Sequence, residues 1–429
     1  MFRIRRACIV PLVLGVALGG SADVAHAQKA KRRGGEVREA WPADAKRKAP
    51  SKPLVRWLAR QVGPTTPTTK KRRSSKSNVA FAAQSAGGNS LLLIRSFDIP
   101  ISDAAYGRLT DASYTYDNAL ATFAFLSVGA QSQAVQLLDQ LKALQRTDGS
   151  IEYAFNVKSG TSAAQVRAGA MAWVGYAALA YKKVYDSTKY DAVIAGVARY
   201  LLTLRNSSGL IKGGPDVNWV STQHNLLATG FLRDLAAKLG TRGTLGTGLS
   251  YTEVNNAANS LGNAILANLI VQEGSLAYFR QGVGDVKIPA DVQALGAMYL
   301  QARGDGRAAQ VANYLQQRFY VAPRAATGIG TLSGFRPYSG TGAPDVIWSE
   351  GTIQASLALD RTSLLGLSAT AANAAVLQIA GTVKTNTGPV GADKDSSSEE
   401  WGEYHTWGTS AAGSWLLIRA SSAQLLFDN

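Results

Sequence analysis

Two stretches decide the fold: Ala143-Leu144-Gln145-Arg146-Thr147-Asp148-Gly149-Ser150-Ile151 and, 60 residues on, Thr203-Leu204-Arg205-Asn206-Ser207-Ser208-Gly209-Leu210-Ile211. In each, a leucine-bearing helix stops at a polar turn whose glycine takes a positive φ cheaply, and a short extended segment follows. Upstream of the first, Ala134, Leu137, Leu138, Leu141 and Leu144 form one stripe at helical spacing. A mostly apolar helix precedes it, from about Asp117 to Val128. The same alternation continues as Ala164–Tyr185 with Tyr190–Leu204, Ser221–Leu239 with Thr252–Val271, and Ala290–Arg303 with Arg307–Phe319. Ser349–Leu364 then pairs with Ala369–Val383, and a last helix spans about His405 to Ala420, with a partner expected from Asn78–Arg95. A second echo, Pro215-Asp216-Val217-Asn218-Trp219 beside Pro344-Asp345-Val346-Ile347-Trp348, falls just before a new helix each time. A period near 60 that holds two helices predicts stacked hairpins, and six of them fit the length.

The first helix of each pair is the more apolar and richer in Ala and Gly, so it is expected inside. The second is amphipathic and is expected outside with a wet face. Inner helices then run parallel, and their N-termini meet at one end. There the sequence places Tyr114-Thr115-Tyr116-Asp117-Asn118, Trp219-Val220-Ser221-Thr222-Gln223-His224-Asn225, Ile288-Pro289-Ala290-Asp291, Trp348-Ser349-Glu350-Gly351-Thr352 and Glu399-Glu400-Trp401-Gly402-Glu403-Tyr404-His405-Thr406-Trp407. Loop residues Glu152, Tyr153 and Phe155 belong to the same mouth.

Carboxylates on different helices of a ring can face each other across a sugar. Glycosidic cleavage needs that arrangement, with one carboxyl protonating the leaving oxygen and another facing the anomeric carbon. Aromatic faces suit pyranose rings, and Asn, Gln and His suit their hydroxyls. Each acid also has an ordinary use, since Asp, Glu and Ser at a helix start are caps favoured by the helix dipole. The aromatic residues have packing roles open to them, and a lone histidine is often a satisfied core residue. Convergence of five clusters is what points to a site. No G-x-S-x-G elbow, G-x-G-x-x-G or P-loop occurs.

At these residues the chain resembles the six-hairpin glycosidase superfamily, over about Ser96 to the C-terminus. The resemblance rests on Tyr114-Thr115-Tyr116-Asp117-Asn118-Ala119, Ser221-Thr222-Gln223-His224-Asn225, Trp348-Ser349-Glu350-Gly351-Thr352 and Tyr404-His405-Thr406-Trp407. It implies an all-α (α/α)6 barrel and a glycan-processing enzyme, often inverting. The implied catalytic pair is Asp117 and Glu350, with Glu403 and Asp291 in reserve. Tyr116, Trp219, Gln223, His224, Asn225, Trp348, His405 and Trp407 are the implied sugar contacts. One departure matters: relatives read Ser-Thr-Glu-His-Asn where this chain has Gln223. A catalytic role for that glutamate would make this chain a binding protein or a weakened enzyme. Lyases and epimerases share the fold, and His224 with His405 would serve such chemistry.

The N-terminus reads differently. Residues 1–27 resemble a secretory signal, with Arg3, Arg5 and Arg6, an uncharged run from Ala7 to Gly20, and Ala25-His26-Ala27 before Gln28. Residues 28–79 read as a basic disordered linker, and 80–429 as the barrel domain. Of the net charge of +16, residues 28–76 carry +13 and residues 77–429 only +1. The basicity belongs to the linker, which suits either a solvated spacer or attraction to an anionic envelope polymer. Nucleic acid is disfavoured, because Trp41 and Trp57 alone make no stacking platform. The single cysteine, Cys8, lies in the signal, so disulfides and thiolate metal sites are excluded beyond it. No metal or cofactor is called for, and no stretch is long enough to span a membrane comfortably. A periplasmic or secreted protein is expected.

Overall fold

A computed structural model describes residues 52–64, 90–246, 248–326, 330–362, 367–383, 388–398, 400–421 and 427. All belong to one unit, Pro42–Asn429. The signal, most of the linker and residues 78–89 lie outside the described residues. No described helix is long and apolar enough to cross a membrane.

Thirteen helices occur among the described residues. They are α1 (Lys52–Arg60), α2 (Tyr106–Leu109), α3 (Thr115–Ser127), α4 (Gln131–Leu144), α5 (Ala168–Tyr185), α6 (Asp191–Thr203), α7 (Thr222–Leu239), α8 (Tyr251–Asn268), α9 (Ala290–Ala302), α10 (Arg307–Phe319), α11 (Ser349–Arg361), α12 (Leu367–Thr382) and α13 (Ser410–Ala420). Helices α3, α5, α7, α9, α11 and α13 pack side to side in that order, and α13 packs back on α3. Each carries an outer partner: α4, α6, α8, α10 and α12 in turn, and α1 for α13. The inner helices are apolar on nearly every side, as the interior of a ring requires; on α3, every residue except Tyr116 is buried. The outer helix α4 buries only Ala134, Leu137, Leu138 and Leu141, the stripe read from the sequence.

The ring is stitched by one repeated bond. The first amide of each inner helix donates to a carbonyl in the loop leading to the next: Thr115 to Tyr153, Ala168 to Gly213, Thr222 to Gln281, Ala290 to Pro337 and Ser349 to Gly391. Ser410 closes the circle on Ser96, and all six bonds measure 2.8–2.9 Å. A helix start leaves its first amides without intrahelical partners, so these bonds satisfy groups that would otherwise need water or a cap. The fourth residue of five inner helices makes a second repeated contact. Asn118, Met171, Asn225, Gln293 and Thr352 accept the amides of Ile94, Ile151, Ile211, Phe279 and Phe335 at 2.8–3.1 Å. Both sets hold the leading ends of the inner helices at one common rim.

Three local expectations change. The partner of α13 is α1, from within the segment read as disordered linker. Its Leu54, Trp57 and Leu58 form an apolar face that outweighs Lys52, Arg56 and Arg60, which stay exposed. Helix α13 starts at Ser410 rather than His405, because the backbone of residues 405–409 pairs with the segment Pro389–Ala392 and with Phe97–Asp98. Likewise α5 starts at Ala168; upstream, Tyr153 and Ala154 draw Gln165 and Ala163 into extended pairing.

Candidate functional site

The second residues of the six inner helices form one layer: Tyr116, Gly169, Gln223, Asp291, Glu350 and Ala411. Tyr116 on α3 donates its hydroxyl to Glu350 on α11, and Trp415 of the intervening α13 donates its Nε1 to the same hydroxyl at 2.9 Å. Three helices thus meet around one carboxyl. Gln354, one turn below on α11, adds a donor to Glu350 Oε1 at 3.0 Å. Gln223 Nε2 donates to Asp291 Oδ2 at 2.8 Å. Tyr116, Gln223, His224, Asp291 and Glu350 all keep part of their surface accessible.

Aromatic rings pack around Tyr116. Trp173 packs on Tyr116 and edge-on against Trp415, with centroids 5.6 and 5.7 Å apart. Below them Tyr176 contacts Phe123, Phe231 and Phe427, and Phe427 reaches Tyr299. Gly230 permits this, because a Cβ there would strike the Tyr176 hydroxyl and Phe427.

Burial sets the protonation states. It raises Glu350 to about 8, a shift increased by the negative charges of Asp117 and Asp291 and opposed by the Tyr116 and Trp415 donors. It raises Asp291 to about 6, against backbone amides of its helix start. Asp117 rises to about 7, also by burial, with a Ser96 hydrogen bond opposing. His224 falls to about 4 by burial and by repulsion from Arg167, so its imidazole is neutral at pH 7. Burial raises Tyr338 to about 12 with help from Asp291, and raises Tyr404 beside Tyr338, Asp291 and Glu350. Tyr338, Trp173, Gln354 and Trp415 are candidate-site residues outside the clusters read from the sequence, whereas Tyr404 fell within one. Gln354 and Trp415 were within reach, since each lies four residues after a second-position residue, one turn beneath it.

The residues singled out from the sequence divide into groups. Tyr116, Gln223, Asp291 and Glu350 share the central layer. Asp117 stands one residue further on α3, only 5% exposed, and bonds Ser96 in the wall. A carboxyl whose pKa rises on folding adds stability below its unfolded value and loses it as pH climbs through the folded one. Asp117→Asn should therefore raise the thermal midpoint at pH 8 by more than at pH 5, read by calorimetry at both. His224 fills the space above Gly169, where a Cβ would lie 2.7 Å from its Nε2. Asn225 is buried in the wall, bonding Ile211 through both Oδ1 and Nδ2, a structural clasp like that of Asn118. Trp348 packs over Gly351 and meets Tyr404 at 6.4 Å. Trp219 is 38% exposed and donates its Nε1 to Asp285 Oδ2 at 2.9 Å. Glu403 is on an exposed hairpin strand (Gly402–Tyr404), paired with Arg108 at 3.2 Å, and that partner lowers its pKa. His405 stacks on the buried Trp407 at 3.8 Å, in the loop between that strand and α13.

With this geometry fixed, solved structures give the match. The chain has the (α/α)6-barrel fold. A family 76 glycoside hydrolase from a bovine Bacteroides thetaiotaomicron strain superposes with a TM-score of 0.55 at 10% identity, over 86% of this chain and 76% of that one. Cellobiose 2-epimerase from Bacillus thermoamylovorans gives 0.54 at 10%, over 78% and 92%. An alpha-amylase from Clostridium perfringens gives 0.53 at 9%, over 76% and 91%. No family model and no curated protein matches the sequence. Among the described residues, no group of three or more His, Cys, Asp or Glu is placed to hold a metal ion.

Proposed function

We propose that this chain is a carbohydrate-active enzyme, an inverting glycoside hydrolase that acts on a poly- or oligosaccharide outside the cytoplasm. The reading rests on placement: Asp291 and Glu350 are the second residues of the adjacent inner helices α9 and α11, both keep part of their surface accessible, and burial raises them to about 6 and about 8. Two carboxyls whose environments separate their pKa values are a natural base and acid. The barrel neighbours, which include hydrolases and an epimerase of sugars, support the ligand class. The signal-like residues 1–27 support export.

In this mechanism Glu350 enters protonated. Its proton passes to the glycosidic oxygen as that oxygen's bond to the anomeric carbon breaks. Asp291, held by Gln223, takes a proton from the water that attacks the opposite face, so the anomeric configuration inverts. Asp117 stays in the wall, and its charge helps keep Glu350 protonated.

The test is a pH profile. Asp291 must be ionised and Glu350 protonated, so kcat/KM should rise through pH 6 and fall through pH 8. The first-formed product, followed by proton NMR, should carry the inverted anomer. A profile flat across this range, or a retained anomer, refutes the assignment.

A second reading, sugar epimerisation, draws on His224. Its neutral imidazole, partly accessible, is in the state that proton abstraction requires. Epimerisation changes sugar identity without new reducing ends, so product analysis separates the two.

A further inference from the structure

The two oxygens of Glu350 are served unequally. Tyr116 on α3 and Gln354 on α11 both donate to Oε1, Gln354 through Nε2 at 3.0 Å, and neither bonds Oε2. The direction of the first bond follows from its neighbour. Trp415 Nε1, which can only donate, bonds the Tyr116 oxygen at 2.9 Å, so the phenol's own hydrogen is available to Glu350. Burial and the adjoining Glu350 charge push the Tyr116 pKa well above its ordinary value, so that hydrogen stays in place. A carbonyl oxygen has two lone pairs, and here both are taken. In the neutral acid, Oε1 is therefore the carbonyl oxygen and Oε2 carries the proton.

Gln354 is held at a cost. Its side chain is 1% exposed, and its own Oε1 is buried with no hydrogen-bond partner among the described residues. A buried acceptor left unmet works against folding, and residues that break such a rule are expected where they serve a site. Tyr116 has no such conflict. Its ring packs on Trp173 at 5.6 Å, and its oxygen is bonded by both Trp415 and Glu350.

We propose that Tyr116 and Gln354 are positioning residues that hold Glu350 Oε1 as an acceptor and so direct the acidic proton to Oε2, with Trp415 acting through Tyr116. The role rests on Glu350 being the proton donor of the proposed function. On cleavage the Oε2–H bond breaks and the proton passes to the glycosidic oxygen, which keeps the electron pair of its bond to the anomeric carbon. The charge left on the carboxylate meets two donors already in place, which need not reorient.

Carbon-13 NMR of the full-length chain, labelled at the glutamate side-chain carboxyl, tests the placement without turnover. The Glu350 resonance is the one absent from Glu350→Gln. Tyr116→Phe keeps the ring on Trp173, and Gln354→Met keeps the volume. Each removes a donor that favours the ionised form, so the Glu350 midpoint should move upward from about 8 in both. On a cleaved glycan, kcat should fall about 10- to 100-fold in each with KM little changed, as when a reacting group is loosely held. The falling limb of the pH profile should follow the NMR midpoint. Gln354→Met should keep or raise the thermal midpoint, because the unmet acceptor goes with the amide. A Glu350 midpoint that stays or falls in these variants overturns the proposal. So does a loss of activity in Gln354→Met matched by a loss of thermal stability, the mark of a residue needed only for packing. Raised Glu350 midpoints in a chain that cleaves no glycan keep the proton placement and reject the hydrolase reading.

Discussion

Glu350→Gln is expected to lower kcat for glycan cleavage by about 100- to 10,000-fold, the usual contribution of a positioned proton donor. Glutamine keeps the shape and can still accept from Tyr116 and Gln354, but it has no proton to give. The loss should therefore shrink on substrates whose leaving group needs no protonation, such as glycosyl fluorides. Asp291→Asn should cause a loss of the same order on both substrate types, because water activation is needed in each. Steady-state rates on a natural glycan and on the matching fluoride read both effects. Full activity in either variant would remove that carboxyl from the mechanism.

The second large effect is on stability. Trp57→Ala should cost about 3–5 kcal/mol, as large-to-small changes at a packed aromatic do. The indole is buried between α1 and α13, and its Nε1 donates to Asp98 Oδ2 at 3.1 Å. A Cβ on Gly413 would come within 2.7 Å of its Cζ3, and Gly388, at φ +73°, abuts its other edge. Urea denaturation should show the midpoint falling with little change in slope. A cost below about 1 kcal/mol would mean that α1 rests on the ring without supporting it.

Much of the ring was legible in the sequence because helical spacing and polar turns are local signals. Leu137, Leu138 and Leu141 announce α4, and the Gly149 and Gly209 turns mark where pairs end. What stayed hidden depends on chain segments far apart in sequence. Helix α1 lies among lysines and arginines, and its apolar face (Leu54, Trp57, Leu58) is only two turns long. The loop from His405 to Thr409 looked helical but finds backbone partners across the ring. At the site, Glu350 was legible as an acid at a helix start. Its elevated pKa was not, because that depends first on burial in the packed ring and then on the charges of Asp117 and Asp291 arriving from other helices. Asn225 was assigned to sugar by its neighbours, whereas its fourth-position register, shared with Asn118, reveals a clasp. Asp291 keeps part of its surface accessible while Asp117 is buried, a difference that follows only from the packed helices.

The bond from Ser410 to Ser96 gives this repeat architecture a property that linear arrays lack. An open stack of repeats has two terminal units with one neighbour each; these fray first and need special polar capping sequences. Here every unit has a neighbour on both sides, so no repeat is terminal and none is specialised as a cap. Melting should then begin nowhere in particular and engage the whole circle together. New chain ends cut into an outer loop, with the old ends joined, would leave the same circle of contacts in place.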